Sequence, residues 1–230
     1  MIKKAKIEIV SNALIAAIPY IGGSINSVMG DIAAQRKEAR FRELINSLES
    51  EINKIRAINK TFITHEDFLD IFENISKHVV NERDAAKRTM YKNLIISSAK
   101  DSNADFDKTE KYIRLLENLT INDSVILKVF LDPIKFNKEI GSPLINRNEG
   151  NNYITYTEHV TVLELLQRLL PEFEKEDILD SLDYLERNRL VITHNGEDLL
   201  KTNANPIHLL VDKITAKGIG FIKYITDEII

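Results

Sequence analysis

The sequence predicts a mainly α protein: an N-terminal helical bundle over 1–118, then a C-terminal winged-helix domain over 119–230 with a small β-hairpin wing. Three observations carry this expectation. Glycine and proline are scarce, eight and five in 230 residues, which suits long helices joined by few turns. Apolar residues recur at steps of three and four through the first half, where no strand pattern occurs. The third observation is the stretch EKEDILDSLDYLERNRLVI, residues 174–192. Its Ile178, Leu179, Leu182 and Leu185 recur at helical spacing, and Leu190, Val191 and Ile192 form a contiguous strand-like run. Asn188 between them tolerates the left-handed conformation that ends a helix sharply. A helix that turns at once into a short strand is how the third helix of a winged-helix domain enters its wing.

Composition bounds the rest. A chain this long buries a real core in one large or two small domains. Its hydrophobic fraction of 43% and charged fraction of 29% are those of an ordinary soluble protein. There is no cysteine, so disulfides and thiolate metal sites are excluded, which suits a reducing cytoplasm. Met1–Lys6 is basic and 13–18 wholly apolar, but the apolar run is broken by Ser11 and Asn12 before it and by Pro19 and two glycines after it. That is too short for a spanning helix and a poor signal peptide, so a cytoplasmic protein is expected. The formal charge of −4 is unevenly shared. Residues 1–118 hold 19 Lys+Arg against 17 Asp+Glu, and residues 119–230 hold 12 against 18, net +2 and −6.

The elements follow in order. A short apolar helix over 7–18 is stopped by Pro19, and Gly22-Gly23 allow a turn before Ser24, a plausible N-cap. A long helix follows with Ile25, Met29 and Ile32, then Phe41, Ile45, Leu48, Ile52 and Ile55 as a packing seam, closed at Asn59-Lys60-Thr61. Thr64-His65-Glu66-Asp67 resembles a capping box. It opens a helix carrying Phe68, Ile71, Phe72, Ile75, Val79 and Val80, and the pattern continues through a charged middle, 82–88, into Met90, Tyr91, Leu94 and Ile95. Asp101-Ser102-Asn103 signals a turn. Residues 105–119 form a helix with Tyr112, Ile113, Leu115 and Leu116 inward. Thr120-Ile121-Asn122-Asp123 is a second capping-box start, its helix stopped by Asp132-Pro133. Residues 135–152, rich in Gly, Asn and Pro, read as a flexible loop. Residues 153–157 read as a strand, and Thr161-Val162-Leu163-Glu164 caps a helix ended by Pro171. After the 174–192 stretch, 208–214 alternates as the returning wing strand, and Thr215 caps a last helix over 216–229.

Three pieces of this chain resemble a known group. Leu115-Leu116-Glu117-Asn118-Leu119-Thr120 with Asp123 and Ile126-Leu127 is similar to the junction between a last bundle helix and a capped first winged helix. The ending Ile214-Thr215-Ala216-Lys217-Gly218-Ile219-Gly220-Phe221-Ile222 and the start Ile18-Pro19-Tyr20-Ile21-Gly22-Gly23 match in the same way. Together they resemble bacterial helical proteins related to the Abi-alpha abortive-infection family. The resemblance implies a role in bacterial or prophage conflict, and it brings no catalytic residues to carry over.

The chemistry-bearing residues fall into a few groups. A winged helix that reads DNA needs a basic recognition helix, because affinity for duplex comes mainly from neutralising phosphates. Residues 174–189 instead hold six acids, Glu174, Glu176, Asp177, Asp180, Asp183 and Glu186, against Lys175, Arg187 and Arg189. This argues against nucleic acid on that surface and for a protein partner. Arg36, Lys37, Arg40 and Arg42 are the candidate anion or nucleic-acid contact, although Glu38 and Glu43 are interleaved with them as on an ordinary solvated helix face. The five histidines (His65, His78, His159, His194, His208) form no metal pattern. Gly22-Gly23-Ser24 and Gly218-Ile219-Gly220 have neither the spacing nor the context of a nucleophile elbow or a phosphate loop. Asp67 and Asp70 are ordinary early acids near the positive end of a helix dipole. No catalytic residue, metal or cofactor is expected. Leu14, Ile18, Pro19, Tyr20 and Ile21 are candidates for contact with a partner or a membrane surface, given Lys3, Lys4 and Lys6 beside them.

The expected function is therefore a non-enzymatic protein-interaction module of bacterial or prophage origin, in phage defence or abortive infection, acting on a protein partner or by self-association. The alternatives are a winged-helix DNA-binding transcription regulator using another, basic surface, and a membrane-perturbing effector using the N-terminal apolar helix.

Overall fold

A computed structural model describes residues 31–52, 66–100, 106–141, 145–147, 153–155, 161–193, 210–211 and 213–226. The chain is mainly helical, and it separates into two compact units, Met1–Asn118 with Lys223–Ile230, and Leu119–Ile222.

In the first unit, α1 (Asp31–Ile52) buries Phe41, Leu44 and Leu48, with Ile45 only half-buried, so the inward stripe runs slightly to one side of the expected seam. Helix α2 (Glu66–Asn81) buries Phe68, Ile71, Phe72, Ile75, Val79 and Val80, and Glu66 and Asp67 in its first turn favour the positive helix end. The pattern read as continuous through 82–88 is divided in two. Asp84 accepts the Lys87 amide at 2.9 Å and donates its own amide to Glu82 at 2.9 Å, which caps a new helix, α3 (Ala85–Lys100). The carbonyls freed at the end of α2 are answered by side chains: Arg40 donates to Val80 at 3.0 Å and Asn81 to Lys77 at 2.7 Å. Helix α3 is buried on most sides, with Asn93, Leu94, Ile95, Ile96, Ser98 and Ala99 all inside. Helix α4 (Phe106–Asn118) buries Tyr112, Ile113, Leu115 and Leu116 as its spacing requires. Helices α2 and α3 pack on each other and each against both α1 and α4.

The second unit opens on α5 (Ile121–Leu131), where the Thr120–Asp123 capping box forms in full. Asp132-Pro133 ends this helix but starts another, α6 (Pro133–Glu139): Asp132 accepts the Lys135 amide at 2.9 Å, and proline fits the first helical position. The segment expected as a loop thus holds this helix and then β1 (Ile145–Arg147). Strand β1 pairs antiparallel with β2 (Tyr153–Thr155), Ile145 opposite Thr155 and Arg147 opposite Tyr153. Helix α7 (Val162–Leu169) starts on the Thr161–Glu164 capping box and buries five of its eight residues. Those bonds hold the exposed Glu164 carboxyl below its ordinary pKa.

Helix α8 (Lys175–Arg187) packs against α5 and α7 through Ile178, Ser181, Leu182 and Leu185. It ends one residue later than the spacing implied. Asn188 has φ −84°, and the left-handed residue is Arg189, at φ 55°. The Arg189 amide bonds the Glu186 carbonyl and the Leu190 amide bonds the Leu185 carbonyl, both at 2.8 Å, while Leu185 and Leu190 are both fully buried. That is a Schellman ending. Asn188 serves differently, donating its side-chain amide to Tyr184 at 2.9 Å. Val191 then pairs with Ile214 as a single antiparallel bridge. A full wing hairpin is not seen among the described residues, since 194–209 lie outside them.

Helix α9 (Ala216–Ile225) is seated by three contacts within this unit. The Thr215 hydroxyl accepts the Gly218 amide at 2.9 Å and donates to Arg189 at 2.7 Å, and Lys217 reaches the Asn188 carbonyl at 2.8 Å. The closing residues of α9 group with the first unit. There Asn93 donates to the Ile225 carbonyl and Ser97 to the Tyr224 carbonyl, each at 3.1 Å, and the Tyr224 ring meets Tyr112 edge-on at 4.9 Å. Thr64 and His65 of the expected capping signal, the short helix expected over 7–18, and the parts of the expected long helix before residue 31 and after Ile52 lie outside the described residues.

Candidate functional site

The outward face of α8 concentrates one kind of chemistry. Glu174, Glu176, Asp177, Asp180 and Asp183 are exposed there, with Lys175 and Arg187. Arg187 is paired with Asp183 at 2.7 Å one turn back, with both side chains exposed. Leu179, expected among the inward residues, stands amid the acids at 38% exposure, and Ile192, just past the helix, is 48% exposed. The sixth acid, Glu186, is not part of this face. Its carboxylate accepts both the Thr193 amide at 3.1 Å and the Thr193 hydroxyl at 2.6 Å, pinning the end of α8 to the segment that pairs with Ile214. Tyr184, half-buried on the same helix, has its hydroxyl pushed up to about 12 by desolvation and then by the charge of Asp123 on α5. It stays neutral and serves packing.

The surface is thus an acidic helix face with two apolar points. Its sign is repulsive toward phosphates and attractive toward Lys and Arg side chains.

Among the basic residues of α1, Arg42 stands off the side that the other three share. Arg40 is half-buried and spends one nitrogen on the Val80 carbonyl, and Arg42 is exposed and paired with Glu38 one turn back. Arg36, exposed, and Lys37, half-buried, stand four and three positions before Arg40, one turn away on its side of the helix. Leu14, Ile18, Pro19, Tyr20 and Ile21 lie outside the described residues, as do His65, His159, His194 and His208.

His78 is described, and it stacks flat on Tyr91 with ring centres 5.2 Å apart and planes 8° from parallel. Burial lowers its pKa and Lys87 lowers it further, against the opposing pull of Glu117 and Glu82. Burial and the charges of Glu117 and Glu82 push the Tyr91 hydroxyl well above the tyrosine range. Among the described residues, no group of three or more His, Asp or Glu is placed to hold a metal ion, and no helix is long and apolar enough to cross a membrane. Comparison with protein-family models, with curated proteins and with solved structures finds no match.

Proposed function

We propose that the chain is a non-enzymatic protein-interaction module whose α8 face docks a basic protein surface bearing an apolar pocket. The observation that carries this reading is the charge of the face, where Glu174, Glu176, Asp177, Asp180 and Asp183 are all exposed on one helix with the outward Leu179 among them. Charge would steer and orient the partner while the leucine supplies the desolvated centre.

The second unit is read as a winged-helix domain. Supporting that reading are the order α5, α6, strand pair, α7, α8, bridge, α9, in which α6 is an insertion, the position of α8 against α5 and α7, and the Val191–Ile214 bridge at the base where a wing would leave. In that frame α8 is the helix that would enter a DNA groove, and its charge turns the role toward a protein. The setting, phage defence or abortive infection in a bacterium or prophage, rests on the resemblance to Abi-alpha-related proteins.

Two measurements with the full chain test the proposal. A gel shift against random duplex at low salt should show no binding, since a nucleic-acid reader would bind with steep salt dependence. Capture from a bacterial lysate should recover a protein that is lost from the Asp180→Lys/Asp183→Lys and Leu179→Ser variants. An identical capture by the variants, or a shifted duplex, would overturn it.

A further inference from the structure

A second site is assembled in the first unit, on residues remote in sequence from α8. A cleft of about 50 Å³ lies where α1 meets α2 and the start of α3, and Arg40, Arg88 and Lys92 all line it, with Glu43 as the carboxylate among them. Three cations against one anion leave two positive charges in a confined, partly dehydrated space. Like charges held this way repel, and the repulsion is relieved by an incoming anion.

The cations are also prepared for one. Arg40 gives Nη1 to the Val80 carbonyl, and its other donors have no acceptor among the described residues. Arg88, with its side chain only 17% exposed, is anchored by Nη1 on the Arg83 carbonyl at 2.8 Å, and its Nη2 reaches Glu43 at a long 3.5 Å. A guanidinium carries five donors in a fixed fork, so anchoring one nitrogen orients the rest without using them up. Lys92, half-buried in the same cleft, has no acceptor among the described residues, and neither has the Ser47 hydroxyl beside it. Glu43 is 67% exposed at its side chain and free to swing out to solvent.

We propose that this cleft binds a phosphoryl group, with Arg40, Arg88 and Lys92 as its ligands and Glu43 as the carboxylate it displaces. The net charge suits a dianion better than a carboxylate, and the guanidinium forks match phosphate oxygens. The volume admits roughly four waters, the number of oxygens on a phosphate. The proposal stands apart from the reading of the α8 face and survives its failure.

Isothermal titration of the full chain in chloride buffer at fixed ionic strength tests it, with inorganic phosphate in one arm and ATP in the other. Saturable binding of one equivalent is expected, with a dissociation constant below about 1 mM. Lys92→Gln should weaken it about tenfold by removing one charge-assisted bond. Glu43→Gln should tighten it, an opposite sign that loss of folding cannot produce. Lys111→Gln, exposed on α4, none of whose residues lines the cleft, should leave it unchanged. Equal affinity in both arms supports a site for free phosphate, and tighter ATP supports a phosphoryl carried on a larger molecule. Binding of neither ligand above the chloride control, or an unchanged titration in Lys92→Gln, overturns the proposal.

Discussion

Gly218 lies directly against the Leu190 carbonyl: a β-carbon at Gly218 would overlap that oxygen and come within 2.9 Å of the Ile214 side chain. Space, not backbone freedom, is what the glycine supplies. Leu190 closes the Schellman ending of α8, and Thr215 donates its amide to the same carbonyl at 2.9 Å, so the oxygen cannot move aside cheaply. Gly218→Ala should cost about 2 kcal/mol or more of stability, at the upper part of the overpacking range, read from the denaturant midpoint. A variant as stable as the native chain would show that α9 shifts to make room.

Arg189 holds φ 55° without being glycine, at the position where such helix endings favour glycine. The left-handed conformation costs a side-chain-bearing residue about 1–2 kcal/mol. Glycine also loses more freedom on folding, which offsets part of the relief. Arg189→Gly should therefore raise stability by about 0.5–1 kcal/mol, while Arg189→Val should lower it.

The Glu186 carboxylate and Thr193 form a two-point contact, amide and hydroxyl together. A double-mutant cycle with Glu186→Gln and Thr193→Ala should give a coupling of about 1 kcal/mol, near the middle of the range for charged hydrogen bonds after the amide contact is retained. Neutral additivity would mean that solvent serves Glu186 equally well.

His78 yields a prediction in pH. Its folded pKa lies below the ordinary 6.5, so the unfolded chain takes the proton first as pH falls. The two states are alike above that value. Below it the unfolded state is favoured progressively, until the folded imidazole protonates as well. Stability should fall as the pH drops through 6.5 in the native chain, and His78→Phe, which keeps the stack on Tyr91, should flatten that slope. An unchanged slope in the variant would place the titration elsewhere.

Much of the helical framework was legible because it is written in local chemistry. Thr120 with Asp123 and Thr161 with Glu164 mark helix starts by residue type alone, and the spacing of Phe68 through Val80 and of Tyr112 through Leu116 names the buried faces. What was not legible depends on partners distant in sequence or on competing local bonds. Asp84 interrupts a periodic pattern because its side chain caps a new helix, and the pattern of apolar residues passes over it unbroken. Pro133 reads equally as a stop and as a first helical residue. Arg189 rather than Asn188 turns left-handed, because Asn188 is occupied with the Tyr184 carbonyl. The cleft around Lys92 has no sequence signature. Arg40 and Lys92 are 52 positions apart, and only the packing of α1 on α3 brings them together.

The bond from Asn93 to the Ile225 carbonyl spans 132 residues. On a ribosome, synthesis at about 5–20 residues per second separates the two partners by roughly 7–26 seconds. Throughout that interval the Asn93 amide and the Ser97 hydroxyl of the nascent first unit are left to water. The unit therefore cannot complete itself in the order in which it is made. Its last internal bonds form only after the whole second unit has emerged, so a truncation before Tyr224 removes bonds from the part of the protein translated first.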